Sequence, residues 1–253
     1  MLNRTLTRCQ RNHAERRVKS LRRKTQAVIA SGHIPSSVAN VVASSHSALV
    51  LYAINEEGMA ALASAFSTIL EPGDCYCLYG SVGAGKSVWS RAFIRAASDD
   101  PSLPVPSPTF LLQNTYDQHG LPEIHHFDLY RLQSEHEMMR LDLNTSFKNA
   151  VCLIEWPERL GSLLPQVHMA VHISILDEDE VPLSMLEKTV QGVRLNDEVA
   201  ACSLTEDIIE EDVEFYDQRC RRVEFIPCGQ KWSQRLTALK GLLSHKQEAL
   251  YGT

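Results

Sequence analysis

The apolar run Asp74 to Tyr79 (DCYCLY) opens directly into Gly80-Ser81-Val82-Gly83-Ala84-Gly85-Lys86-Ser87, and a helical pattern follows over Lys86 to Ala97. The four constrained positions, Gly80, Gly85, Lys86 and Ser87, satisfy the phosphate-loop pattern Gly-x4-Gly-Lys-Ser/Thr in its required strand–loop–helix context. The spacing has a physical reason. Backbone N–H groups must wrap a phosphate chain closely, which needs residues with small or no side chains. Gly83, Ala84 and Gly85 supply them. A helix that starts near Lys86 turns its positive end toward the phosphates. Lys86 is placed to reach the β- and γ-phosphate oxygens, and the Ser87 hydroxyl to ligate Mg²⁺. The expected nucleotide contacts therefore run through Gly80, Ser81, Val82, Gly83, Ala84, Gly85, Lys86, Ser87 and Val88.

The rest of the pattern predicts an α/β fold of the P-loop NTPase type. The sheet should be mainly parallel, with antiparallel hairpin or edge strands, and flanked by helices. Strands are expected at Ala48 to Ile54, Asp74 to Tyr79, Phe110 to Tyr116, Glu123 to Leu129, Ala150 to Ile154, Val167 to Leu176 and Arg222 to Pro227. Val167 to Leu176 alternates, and reads as an antiparallel or edge strand. Helices are expected over Glu56 to Leu70 with Asn55 as N-cap, Lys86 to Ala97, Ser134 to Leu143 and Gln230 to Leu243. Four prolines make Pro101 to Pro108 a loop.

A hydrolase built on such a loop needs an acid near the metal and a group that places water. Glu155 follows the apolar strand 150–154, and Asp128 lies at the end of strand 123–128. Ligands collect at strand carboxyl ends in open α/β sheets. From pattern alone, each acid is equally well a helix cap. Ser107 and Thr109 read as turn hydroxyls. Trp156 reads as packing or as a functional side chain, and Arg131 as a surface ion pair or a phosphate contact. His125 and His126 read as satisfied packing residues, since Mg²⁺ prefers oxygen ligands.

Four motifs occur in order: Gly80 to Ser87, Ser107-Pro108-Thr109-Phe110, His126-Phe127-Asp128-Leu129-Tyr130-Arg131, and Ile154-Glu155-Trp156-Pro157-Glu158-Arg159. In these the chain resembles the TsaE (YjeE) ATPase family of tRNA threonylcarbamoyladenosine biosynthesis, over residues 48–176 and again from Arg222 to Leu243. The resemblance implies a protein that binds ATP with Mg²⁺, hydrolyses it slowly alone, and supports turnover of a TsaB–TsaD transferase complex. Contact with tRNA would then be indirect, through that complex. It also implies that Lys86 and Ser87 hold phosphate and metal, and that Thr109 belongs to a switch-like segment. Asp128 and Glu155 would stand about the metal and the attacking water, with Trp156 in activity or partner coupling. Lys86, Asp128, Glu155 and Thr109 are thus the expected catalytic set, and Ser87, Asp128 and Glu155 the expected metal set. Three departures from the family pattern are visible. Ser81 stands where Asp is usual, Ser87 where Thr is usual, and Leu141-Asp142-Leu143-Asn144 where a Leu-Gly-rich stretch is usual. Base selectivity for ATP rests on the resemblance, because no guanine-reading NKxD motif occurs.

Two other function classes can be built on a phosphate loop. A small-molecule kinase would need an Arg-bearing lid after the loop helix, and no such segment is visible. A nucleotide-gated binding module would use ATP to order Ser107 to Tyr116 as a docking surface.

Composition bears on the remaining segments. Residues 1–24 hold nine Lys and Arg against the single acid Glu15, in a chain of net charge -6. The Arg-rich start, followed by small and hydroxylated residues, reads as a plastid or mitochondrial transit peptide, or else as a basic arm in a cytoplasmic protein. Residues 1–46 are therefore expected to form an arm, 47–176 with 220–245 the ATPase domain, and 177–219 an acidic, partly disordered insertion. No apolar run is long enough to span a membrane, so no membrane partner is expected. The seven Cys form no CxxC pair, which argues for reduced structural thiols and against a zinc site.

Overall fold

The computed structural model describes residues 38–42, 48–53, 55–117, 122–132, 135–138, 141–177, 180 and 219–251. Eight strands form one sheet: β1 (Val38–Val42), β2 (Leu49–Ala53), β3 (Cys75–Tyr79), β4 (Gln113–Tyr116), β5 (Ile124–Asp128), β6 (Val151–Glu155), β7 (His168–Ile175) and β8 (Arg221–Cys228). Their spatial order is β1-β2-β8-β7-β3-β6-β5-β4. The four middle strands β7, β3, β6 and β5 are mutually parallel, while β1, β2 and β8 on one side and β4 on the other run antiparallel to their neighbours. The continuous apolar sequences of β3 and β6 follow from this position, because helices cover both faces there.

Helices α1 (Glu56–Ser67), α2 (Lys86–Ser98) and α5 (Gln230–Tyr251) lie on one face. Their buried side chains, Met59, Phe66, Trp89, Phe93, Trp232 and Leu236 among them, join Tyr76, Leu78, Val171 and Phe225 of the sheet in one core. The aromatics interlock: Phe66 stacks on Phe225 at 4.1 Å, and Tyr76 meets Phe93 and Trp232 at 5.0 Å each. The other face is covered by the short α3 (Glu135–Met138), by α4 (Leu143–Asn149) and by a 3₁₀ segment, Pro157–Leu163. Asp74, fully buried before β3, pairs with Lys231 at 2.9 Å and Arg235 at 2.7 Å, which fastens α5 to the strand that carries the glycine loop.

Asn55 caps α1 as expected, its side chain accepting from Gly58 N at 2.9 Å. Several expectations are corrected. Val167 to Leu176 has the expected antiparallel neighbour, β8, but it is no edge: β7 lies inside the sheet and runs parallel to β3 on its other side. Its alternation arises because burial thins toward its end, where Ser174 is exposed. The strand expected over Phe110 to Tyr116 begins only at Gln113, since 109–111 form a turn and Leu112 takes a left-handed φ of 67°. The helix expected over Ser134 to Leu143 is replaced by α3 and α4. Asp142 starts the latter anew by accepting from Thr145 N at 3.2 Å. β1 falls within the expected arm 1–46, and pairs with β2. The remainder of that arm and nearly all of the expected insertion 177–219 lie outside the described residues.

Candidate functional site

The parallel register brings the carboxyl ends of three strands level. Leu78 of β3 and Asp128 of β5 both sit opposite Glu155, the last residue of β6. The glycine loop leaves β3 at this point and runs into α2. Two glycines answer to distinct demands. Gly80 has φ 151°, and a Cβ there would lie 2.4 Å from the Ile173 carbonyl oxygen of β7. Gly85 has φ 109° and stands at the N-cap of α2, which no side chain caps. The N–H groups of the first turn therefore remain directed at the loop, ready for an anion.

Lys86 begins α2 and is only 5% exposed. Its ammonium donates to the carbonyls of Gly80 at 2.7 Å and Ser81 at 2.8 Å, and lies 3.9 Å from the centroid of the Trp156 ring. Burial holds its pKa below the usual lysine value, while Glu155, Glu158 and Asp128 pull the other way. Trp156 reaches over the lysine because its backbone takes a left-handed turn, φ 60°, just after β6. Such a conformation costs a non-glycine residue about 1–2 kcal/mol. Tyr130 packs on the same indole at 4.9 Å.

Glu155 is 2% exposed and accepts from Ser87 Oγ at 2.8 Å, Ser90 Oγ at 3.4 Å and His126 Nε2 at 2.8 Å. Asp128 has its own donors: Thr109 Oγ1 at 2.5 Å, Ser107 Oγ at 3.2 Å and the Tyr130 backbone N–H at 3.0 Å. Ser107 Oγ also lies 2.7 Å from Thr109 Oγ1, so its single hydrogen is shared between Thr109 and Asp128. The two acids thus divide their work. Glu155 joins the sheet to the first turn of α2, and Asp128 joins it to the segment after the proline loop. Beside Thr109, Phe110 and Leu111 are 80% and 74% exposed, and Arg131 stacks on the Phe110 ring at 4.1 Å.

The structure brings Lys86, Ser87, Thr109, Asp128, Glu155 and Trp156 together. Val82 stands at the exposed tip of the loop, and Ser81 offers its carbonyl to Lys86. Two site residues escaped the sequence reading. His126 belongs to the Glu155 cluster, whereas His125 behaves as expected, bonding Ser146 at 2.9 Å. Arg221, buried at the start of β8, donates through Nε to the Ala84 carbonyl at 3.3 Å. The signal for Arg221 was its phase: it alternates with Val223 and Phe225, so it shares their core-facing side.

The oxygen donors here, one serine hydroxyl and two carboxylates, suit a hard cation such as Mg²⁺. Among the described residues no group of three or more His, Cys, Asp or Glu side chains could hold a metal by itself. A cation at this place would need further oxygens from a bound phosphate, which is how Mg²⁺ is commonly held. No cradle wall closes the loop at Gly83, where a Cβ would meet nothing within 4 Å. A phosphate-cradling loop on a parallel strand, with a strand-end acid, Glu155, bonded to its helix, defines a P-loop nucleotide-binding protein.

The family model for threonylcarbamoyl adenosine biosynthesis protein TsaE matches residues 53–182. The tRNA threonylcarbamoyladenosine biosynthesis protein TsaE of Rickettsia felis is 35% identical over 138 residues, covering 54% of this chain and 80% of that protein. Its counterpart in Bacillus subtilis is 32% identical over 127 residues, covering 50% and 78%. Among solved structures, the crystal structure of Bacillus subtilis YdiB matches with a TM-score of 0.51 at 20% identity, over 78% of this chain and 95% of that one, which speaks to the fold alone. The chain belongs to the TsaE family.

Proposed function

We propose that this chain binds ATP with Mg²⁺ and hydrolyses it in support of tRNA threonylcarbamoyladenosine formation. In this reading it acts with a TsaB–TsaD-like transferase complex and meets tRNA through that complex. The observation that carries the reading is the Ser87–Glu155 hydrogen bond of 2.8 Å, with Asp128 one strand away in register. Lys86 would exchange its bonds to the Gly80 and Ser81 carbonyls for phosphate oxygens. The α2 N-terminus would hold the phosphate chain. Ser87, Glu155 and Asp128 would hold the cation, either directly or through its waters, and orient the attacking water. The cation, when bound, offsets charge on the β- and γ-phosphates.

The Thr109–Asp128 bond of 2.5 Å favours a second, compatible reading. A nucleotide that draws on Asp128 would act on the adjoining Phe110-Leu111 tip, and so gate a docking surface. The Arg-rich residues 1–24 support targeting to a plastid or mitochondrion. Among the described residues no helix is long and apolar enough to cross a membrane.

The test is ATP hydrolysis by the full chain, with and without a TsaB–TsaD pair from the same source. The full chain is needed because cutting at residue 46 would remove β1. Hydrolysis that rises on adding the pair, with restored multiple-turnover tRNA modification, is the expected result. Hydrolysis indifferent to the pair, with no effect on modification, would refute the proposed partnership.

A further inference from the structure

The two oxygens of Glu155 do not share their partners. Oε2 accepts from Ser87 Oγ at 2.8 Å, on the side of the glycine loop. Oε1 accepts from His126 Nε2 at 2.8 Å and from Ser90 Oγ at 3.4 Å, on the side of the core. His126 is 1% exposed. It sits two residues before Asp128 on β5, on the same face, opposite Leu153. Its other ring nitrogen, Nδ1, is buried and has no hydrogen-bond partner among the described residues. Buried side-chain polar atoms are in the large majority hydrogen-bonded, so packing alone is a poor account of an imidazole here. An apolar ring would fill the space without leaving Nδ1 orphaned. What the imidazole adds is one donor aimed at Oε1. A carboxylate can only accept, so Nε2 carries a proton.

We propose that His126 is a positioning residue for Glu155. It holds Oε1 so that Oε2 alone faces Ser87 and the space beside the loop. Ser87 can then keep its hydrogen on Oε2 while its oxygen lone pairs stay free for a cation. The inference rests on the reading of Glu155 as a site acid. It adds to that reading a fixed orientation of the carboxylate, supplied by the first residue of the His126-Phe127-Asp128 run.

The experiment compares the full-length chain with His126→Leu and His126→Gln. Leucine fills space without a donor, and the glutamine amide nitrogen reaches the place of Nε2. Three quantities are read: kcat and KM for ATP, the Mg²⁺ concentration that half-saturates tight binding of a fluorescent ATP analogue, and the thermal melt. The leucine variant is expected to lose roughly ten- to hundred-fold in kcat and to need several-fold more Mg²⁺. Its KM for ATP should stay within about three-fold. Glutamine should recover most of both losses. Equal losses in the two folded variants, or none in the leucine variant, overturn the inference. Imidazole ¹⁵N spectra of the wild-type chain test it without any substitution: a proton on Nε2 is expected, and a proton on Nδ1 alone overturns it. If the wild-type chain hydrolyses no ATP, the proposed function fails on its own account. The role of His126 is then decided by the Mg²⁺ titration and the spectra.

Discussion

The Lys86 ammonium rests 3.9 Å from the centroid of the Trp156 ring, one residue beyond the strand-end Glu155. Its partners among the described residues, the ring and the Gly80 and Ser81 carbonyls, can be given up to a phosphate. Trp89 and Trp232 are buried in the core, which leaves Trp156 as the tryptophan at the site. ATP binding is therefore expected to change intrinsic fluorescence through Trp156, and Trp156→Phe to abolish the change. Lys86→Ala should weaken triphosphate binding by roughly 10- to 150-fold, the worth of about 1.5–3 kcal/mol in charge-assisted contact. A titration with unaltered affinity would contradict the loop assignment.

Glu155→Ala should keep ATP binding and lose turnover by about 100-fold or more, because its carboxylate faces Ser87 and not the far end of a nucleotide. Single-turnover hydrolysis alongside a binding isotherm separates the two effects. Undiminished turnover would remove Glu155 from the site.

Thr109→Val deletes the shortest bond to Asp128 and leaves the longer one from Ser107. Turnover, or its response to a TsaB–TsaD pair, should fall by about ten-fold, with ATP affinity little changed. Thr109→Ser should restore it. Matching rates for valine and wild type would leave Thr109 a turn residue.

Arg221→Met takes a buried donor from the Ala84 carbonyl. Both stability and ATP affinity should drop, the first by the roughly 1–3 kcal/mol that an orphaned buried group costs, read as a lower melting temperature. A lower melt with full affinity would restrict Arg221 to stability.

Burial pushes the pKa of His168 and His172 below the usual histidine value of 6.5. The unfolded chain then takes up protons first as the pH falls. Stability should be full above about pH 6.5 and decline below it, toward the depressed folded-state values. Thermal melts from pH 7.5 to pH 5 should show the decline, and His172→Gln should flatten it. A melting temperature that rises on acidification would reverse the sign of this argument.

The glycine loop and the strand-end acids were legible because backbone demands there are written in local spacing. Gly80, Gly85, Lys86 and Ser87 satisfy a pattern that few other structures need. Glu155 was placed within one residue of the end of β6. What stayed hidden depends on register between distant strands. Nothing local distinguishes His126 from His125, yet the pleat sends one to Glu155 and the other to Ser146. Arg221 became a loop contact only because β8 folds back along β7 and ends its ladder at Ile175. The break between α3 and α4 was missed because Asp142 acts as a cap in the middle of an amphipathic stretch.

That last rung of the β7–β8 ladder, Ile175 opposite Arg221, has a consequence for how this chain can vary. Leu176 N–H still donates to the Cys220 carbonyl at 2.9 Å, so the chain between them leaves and re-enters the sheet across closely facing backbones. The entropy of closing an excursion rises only logarithmically with its length, about 0.6 kcal/mol per doubling for a flexible loop. Lineages could therefore lengthen, shorten or rewrite this stretch at little cost to the sheet. Its returning end, however, lands on the residue that touches the phosphate loop, so whatever is spliced in there inherits a mechanical address at the nucleotide.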